Sequence, residues 1–320
     1  MKYLIDYFMF VIKPDKHSEH SYNIQLFELL DVLKLNDAFS SFYDIGSRMH
    51  YEQCFLYENI RIYTSFIDKY EDMGICVEMT GSGCRYYEDL MRNYAGIGGS
   101  WEWRDLFKSL RSLVDMGCSL NINRIDFAFD DFDGQLDMQT IEDCAAKREY
   151  VSLFRTCKKL EEHEKCAFTV NSDYSKFGVG KTIYFGSRKS NTFCRFYDKL
   201  VEQKIKLQHD VAQLEKLNNL NHWVRFEIVF KRSVAIKIVN AMLKLNDESF
   251  SVWLSEVING YLRFIDIDND NVSRCSIKEW WSNFLGVVER AKLTCVGISS
   301  NALNCAVTWF VHSVAPTVSG

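Results

Sequence analysis

Residues 122–130 read INRIDFAFD, and the stretch alternates strictly. Ile125, Phe127 and Phe129 fall on one side of an extended chain, and Arg124, Asp126, Ala128 and Asp130 fall on the other. Two later stretches repeat the pattern. HWVRFEIVFK at 222–231 sets Val224, Phe226, Ile228 and Phe230 against Arg225 and Glu227. TFCRFYDK at 192–199 alternates Cys194 and Phe196 with Arg195, Tyr197 and Lys199. Period-two alternation of this length predicts strands with one face on a core and one face polar, as in an antiparallel sheet wet on one side.

Around these strands the periodicity predicts a mixed chain. Residues 3–13 read as a strand, and 22–34 as a helix with Leu26, Leu29, Leu30 and Leu33 on one face. Short strands follow at 53–57, 60–66 and 75–80. A helix at 101–116 is started by Ser100 and stopped by Gly117, and another covers 139–147. Strands are expected at 165–171 and 181–186, and one charged helix at 198–218. Helices at 233–245, 249–262, 277–291 and 300–313 complete the chain. The expectation is an α+β fold: an antiparallel central sheet with helices packed on one face, followed by a helical C-terminal segment. The division expected is 1–232 for the sheet-bearing unit and 233–320 for the helical segment.

Composition narrows the class. With 47% hydrophobic and 14% aromatic residues and only two prolines, the chain is an ordered globular one. Its eleven cysteines are scattered singly, odd in number, without a CxxC pair or a preceding signal peptide. That pattern points to a reducing cytoplasm and buried free thiols. The apolar opening YLIDYFMFVI is far shorter than the roughly 20 residues of a membrane helix and is interrupted by Asp6, so no membrane association is expected.

A net charge of −5 and a pI near 5.9 exclude a surface that grips DNA everywhere. They leave room for a local basic groove, since charges act over about 8–10 Å at physiological salt. Residues 176–199 supply one: Lys176, Lys181, Arg188, Lys189, Arg195 and Lys199 are opposed only by Asp198.

If the three alternating strands are neighbours, Asp126 and Glu227 converge beside Tyr197. Two carboxylates with water and a phosphate oxygen suit Mg²⁺ or Mn²⁺. The nearby cations would favour the ionised phenol and stabilise charge on a phosphodiester. Arg-x-Asp on a strand is equally an ordinary solvated ion pair, so the pattern alone leaves both readings open.

The stretch IYFGSRKSNTFCRFYDK at 183–199 closely resembles the Rep_trans family of rolling-circle replication initiators, which includes plasmid and phage initiators and relaxases of some conjugative elements. The resemblance rests on Tyr-Phe-Gly-x-Arg at 184–188, Ser190 and Arg-x-Tyr-x-Lys at 195–199. It also rests on Arg-x-Asp-x-Ala-x-Asp at 124–130 and Trp-x-Arg-x-Glu-x-x-x-Lys-Arg at 223–232, the last with one extra residue in Trp-Val-Arg. Ile-Asp-Tyr at 5–7 and VEMTGSGCR at 77–85 look like the phage branch.

The resemblance implies an HUH-nickase-like fold and a topoisomerase-like DNA strand-nicking and strand-joining endonuclease. Tyr197 would be its nucleophile, forming a 5′-phosphotyrosine and freeing a 3′-hydroxyl for a polymerase. Arg195 and Lys199 would assist it, and Arg188, Arg225, Lys189 and Lys181 would hold DNA phosphates. Asp126 and Glu227, with Glu78 as a third candidate, would serve a Mg²⁺ or Mn²⁺ ion. Many nickases hold the metal with His-x-His, but none of the seven histidines here forms that motif, so carboxylate ligation is expected instead.

The implied partners are single-stranded or hairpin origin DNA, a host helicase and polymerase, and a second copy in a homodimer. The helical segment is expected to serve origin recognition or the dimer contact, with Trp280 and Trp281 in its core. A conjugative relaxase of the same family is the alternative; those often begin with a helix-turn-helix domain, whereas this chain begins with its strand. A non-catalytic origin-binding protein is a third reading.

Overall fold

The fold is described from a computed structural model covering residues 2–65, 73–96, 99–161, 180–291 and 293. The expected strand at 165–171, Lys176 of the basic run and the expected helix at 300–313 lie outside the described residues. The spine of the molecule is β6 (Cys118–Asp131), whose alternating run INRIDFAFD pairs antiparallel on both sides. One neighbour is β1 (Lys2–Pro14); the other is β11 (Val224–Lys231).

Beyond β1 come β5 (Ile75–Met79), β4 (Ile60–Thr64), β3 (Gln53–Tyr57) and the two-residue β2 (Tyr43–Asp44). Beyond β11 come β10 (Thr192–Asp198), β9 (Lys181–Phe185) and β8 (Cys157–Glu161). The ten form one antiparallel sheet in the order β2-β3-β4-β5-β1-β6-β11-β10-β9-β8. A separate pair joins β7 (Tyr150–Ser152) to β12 (Leu262–Phe264).

The middle of one face of the sheet is apolar. Ile5, Phe8 and Phe10 of β1, Phe127 and Phe129 of β6, Phe226 and Ile228 of β11, and Phe196 of β10 share one buried cluster. Five helices cover it: α3 (Gly81–Ala95), α4 (Trp103–Asp115), α8 (Ser233–Lys244), α9 (Asp247–Tyr261) and α10 (Glu279–Arg290). Phe284 and Trp281 of α10 meet Phe226 at 5.7 and 6.1 Å between ring centres, so the helices after residue 232 share the sheet's core. Trp281 is buried, as expected, and Trp280 packs half-buried against the same cluster. Each fully buried aromatic contributes about 1.5–3 kcal/mol, which gives this layer its cohesion.

Smaller helices are α1 (Leu26–Val32), α2 (Asn36–Phe39) and α5 (Met138–Lys147). The long helix expected at 198–218 is two helices, α6 (Lys199–Lys206) and α7 (Val211–Asn218). The break has a local cause. Asp210 caps α7 by accepting from the Gln213 amide at 3.0 Å, and a capping aspartate holds its own backbone extended, outside the helix.

The helix α3 is absent from the sequence reading, because Gly81-Ser82-Gly83 resembles a turn. Gly83 is there for close packing instead: a Cβ would lie 2.4 Å from the Asn59 carbonyl oxygen. Seven of the cysteines among the described residues are buried and free, while Cys157 is free and exposed. Among the described residues no helix is long and apolar enough to cross a membrane.

Candidate active site

The open face of the sheet carries the polar halves of the alternating strands. In the ladder between β10 and β11, Arg195 lies opposite Glu227 and Tyr197 opposite Arg225. In the next ladder Arg225 lies opposite Asp130, and Asp126 lies opposite Val229, a diagonal step from Glu227. Opposed residues in an antiparallel pair project to the same face. Tyr197, Arg195, Arg225, Glu227, Asp126 and Asp130 therefore share one surface.

Tyr197 is only 7% exposed. The Arg195 guanidinium stands 4.9 Å from its ring centre and the Lys199 ammonium 5.5 Å. Arg225 and Arg195 favour the ionised phenol, as expected, but they do not prevail in the free protein. Burial first, and the Glu227 carboxylate second, push the Tyr197 phenol well up, and Arg225 and Arg195 only partly offset them.

Four cations on this face already have an acid, while Lys231 donates to the Arg188 carbonyl. Arg195 donates its Nε proton to Glu227. Arg225 forks onto Asp130 with two bonds of 2.7 Å and also reaches Asp6 at 3.2 Å. Lys199 holds Glu202 at 2.5 Å; burial and the Arg225 charge lower its proton affinity. Arg124 binds both oxygens of Asp126, at 2.8 and 2.5 Å.

Asp126 is 1% exposed, and its carboxyl is pushed up to about 7, because burial outweighs the Arg124 contacts and Glu227 and Asp6 add repulsion. Asp6 itself is held below the usual carboxylate range: burial works against ionisation, but Arg225 and Lys199 outweigh it.

The other expected site residues are distributed differently. Glu78 lies on the same face but two strands from β6, with Tyr7 between, and accepts hydrogen bonds from Tyr7 and Tyr63 while Arg61 stands at 3.5 Å. It is not brought to the Asp126–Glu227 pair. Lys181 sits on the opposite parity of β9 and turns to α5, pairing with Glu142 at 2.8 Å and Gln139 at 2.9 Å. It does not reach the polar face. Its neighbours Ile183 and Phe185 enter the apolar core, and that alternation carries Lys181 with them.

Arg188 and Lys189 lie in the turn between β9 and β10. Arg188 donates to the Tyr184 hydroxyl and stacks 4.7 Å from that ring, and Lys189 is exposed. Burial raises the Tyr184 phenol's proton affinity, but Arg188 and Arg195 outweigh it and hold the group below its ordinary value.

Several site residues had no role assigned from the sequence. Asp6 and Tyr7 enter through a bulge: the β1–β6 register slips between Ile5 and Tyr7, setting Asp6 beside Arg225 and Tyr7 opposite Asp126. The Arg124 guanidinium lies 4.0 Å from the Tyr7 ring centre. Glu202 and Tyr184 are partners of residues that were named. The sequence signals for Asp6 are a charge breaking an apolar run and its place in the Ile-Asp-Tyr that looks like the phage branch, neither of which gave it a role.

The donor chemistry fits a hard divalent cation at Asp126 and Glu227. Both are buried carboxylates on adjacent strands, and Mg²⁺ is commonly held by one or two carboxylates with water and substrate phosphate. Ligation by Asp126 would compete with Arg124, which donates to both of its oxygens. Among the described residues no group of three or more His, Cys, Asp or Glu side chains is arranged to hold a metal ion.

Comparison with known proteins agrees with this architecture. Residues 120–319 match the family described as "Replication initiation factor". Residues 3–109 match "Rolling Circle replication initiation protein N-terminal domain". A Bacillus subtilis (strain 168) protein named "Putative DNA relaxase NicK" is 31% identical over 263 residues, which is 81% of this chain and 66% of that protein's own length. The structure of a rolling circle replication initiator protein from Geobacillus stearothermophilus superposes with a TM-score of 0.68 over 92% of this chain and 98% of that one, at 24% identity. That superposition shows a shared fold.

Proposed function

The chain belongs to the replication initiation factor family of rolling-circle proteins, and on that premise we propose that it nicks and rejoins origin DNA through Tyr197. One observation supports this most directly: Tyr197 is the phenol set among Arg195, Arg225 and Lys199 on the face that also carries Asp126 and Glu227.

In this reading the Tyr197 oxygen attacks the scissile phosphorus. The new O–P bond replaces the bond from phosphorus to the 3′ oxygen, leaving a 5′-phosphotyrosine and a 3′-hydroxyl. The phenol loses one proton and the departing 3′ oxygen gains one, so the transfer is proton-neutral. Rejoining is the reverse. Arg195 and Arg225 present planar donors to the phosphate, and Lys199 adds a point charge close to the nucleophile. DNA phosphates compete for those cations with Glu227 at Arg195, Glu202 at Lys199, and Asp130 and Asp6 at Arg225. Asp126 and Glu227 are the residues that would hold Mg²⁺ or Mn²⁺, which when bound would neutralise charge on the phosphate.

Arg188 and Lys189 extend the phosphate grip along the β9–β10 turn. The helices after residue 232 are proposed to serve origin recognition or contact with a second copy. A helicase and a polymerase would act on the opened strand. The similarity to a protein named as a relaxase favours a second reading, in which the same chemistry starts conjugative transfer.

A strand-exchange assay tests the proposal. The protein is mixed with labelled single-stranded or hairpin origin DNA of its host element, an unlabelled partner strand and Mn²⁺. Cleavage and label exchange, both lost on chelation, are expected. Binding without cleavage would mean a non-catalytic origin-binding protein.

A further inference from the structure

Beyond the end of β11, the open face runs into a cleft of about 450 Å³. β11 pairs with β6 only as far as Arg124, so Asn121 and Asn123 lie past its last ladder position. There the chain turns into α8 through Arg232, which adopts φ 54 and ψ −131, a left-handed conformation unfavourable for a residue with a Cβ. Lys13, Asn121, Asn123 and Arg232 line the cleft with Tyr51 and Met73.

Its polarity separates it from the rest of the molecule. Among the described residues no carboxylate lines it, although the protein carries a net charge of −5. Elsewhere on the polar face Arg124, Arg195, Arg225 and Lys199 are tied to acids. Here the side chains of Lys13, Asn121, Asn123 and Arg232 form no hydrogen bond or ion pair among the described residues. By contrast, a cleft of about 540 Å³ between α5 and α10 sets Asp143, Glu149, Asp266 and Glu279 against only Lys147 and Lys278, an acidic balance that disfavours a nucleic acid.

From this we infer that the cleft is a nucleobase subsite, taking one unstacked base of the strand whose phosphate lies at Tyr197. The inference rests on the strand-cleavage reading above and adds to it a place where sequence is read. Carboxamides donate and accept together, the pattern that pairs with adenine, while Tyr51 and Met73 offer an apolar wall. Arg232 and Lys13 supply cations for the flanking phosphates. The volume lies within the roughly 300–1,000 Å³ of small-ligand sites.

The spacing is compatible. From the Asp130 level, which is the Tyr197 level, to Asn123 is seven residues of β6, roughly 23 Å at the rise of a strand. Single-strand grooves track about 4–16 nucleotides, so one strand spans both positions.

The test uses fluorescein-labelled 12-mers: d(CA)6, d(CT)6, and d(CA)6 with its adenines replaced by abasic spacers. Binding is read by anisotropy across a salt series. The wild type should bind d(CA)6 roughly 10-fold more tightly than either of the others. The Asn121→Ala/Asn123→Ala double variant should lose that preference and keep its salt slope. Arg232→Gln should keep the preference and lower the slope by roughly 0.7. A d(CA)6 strand with one adenine replaced by 8-azidoadenine should photocrosslink to Tyr51 or Met73.

Asn121 and Arg232 are exposed and Asn123 half-buried, so a folded variant is expected, with circular dichroism as the check. Equal wild-type binding of all three strands, or undiminished preference in the double variant, would overturn the subsite and leave the cleavage reading standing. A wild type that binds none of them would overturn both.

Discussion

Arg195 lies directly opposite Glu227 in the β10–β11 ladder and donates its Nε proton to that carboxylate, while its guanidinium stands 4.9 Å from the centre of the Tyr197 ring. The pair therefore links the proposed nucleophile to one of the proposed metal carboxylates. Arg195→Lys keeps the charge but loses the planar fork. Strand cleavage should fall by roughly 10²-fold, with urea stability changed by less than about 1.5 kcal/mol. Parallel losses of stability and activity would instead mark Arg195 as structural.

Arg225 is the buried counterpart. It is 3% exposed and satisfies Asp130 with two bonds while reaching Asp6. Arg225→Ala leaves buried carboxylates without their cation and should cost about 3–5 kcal/mol in urea unfolding. Asp130 also accepts from the Trp223 indole at 2.6 Å, so a Trp223→Phe change should cost less, roughly 1–2 kcal/mol.

The Asp126 carboxyl titrates near 7 in the folded protein because burial outweighs its bonds to Arg124, against about 3.9 when unfolded. A carboxyl raised on folding contributes stability that is full below the unfolded value and is lost as pH rises through the folded one. Metal-free protein should therefore lose on the order of 3 kcal/mol between about pH 5 and pH 8. His222, whose bond to Asp131 raises its proton affinity, adds a smaller loss of the same sign above about pH 6.5. Asp126→Asn should flatten most of the slope in urea titrations across that range.

Gly117 ends α4 with φ 101, and a Cβ there would meet the His20 carbonyl oxygen at 1.8 Å. Gly117→Ala should cost at least about 2 kcal/mol, read as a lower urea midpoint with an unchanged slope.

These residues also show how far the sequence could be read. The period-two runs in β6, β10 and β11 placed Asp126, Glu227, Arg195 and Tyr197 each on its own strand's polar side, because alternation leaves no choice of side; that the three strands adjoin and merge those sides into one face is set by the pairing. The same rule, applied to β9, would have turned Lys181 away from that face. Asp6 was hidden by the β1 bulge, which shifts side-chain parity in a way no periodicity predicts. Glu78 had the right face, but its distance from β6 depends on β1 lying between them, a matter of strand order. Tyr197's protonation depends on desolvation, which only three-dimensional burial sets.

In the proposed reaction Tyr197 makes the covalent bond to DNA. Origin single strand is incubated with the protein and Mn²⁺, the adduct is digested, and the peptide carrying the 5′-nucleotide is sequenced by mass spectrometry. The account predicts a nucleotide on Tyr197 and no adduct in Tyr197→Phe. An adduct persisting in that variant, or mapped to Tyr184 or Tyr7 in the wild type, would contradict it.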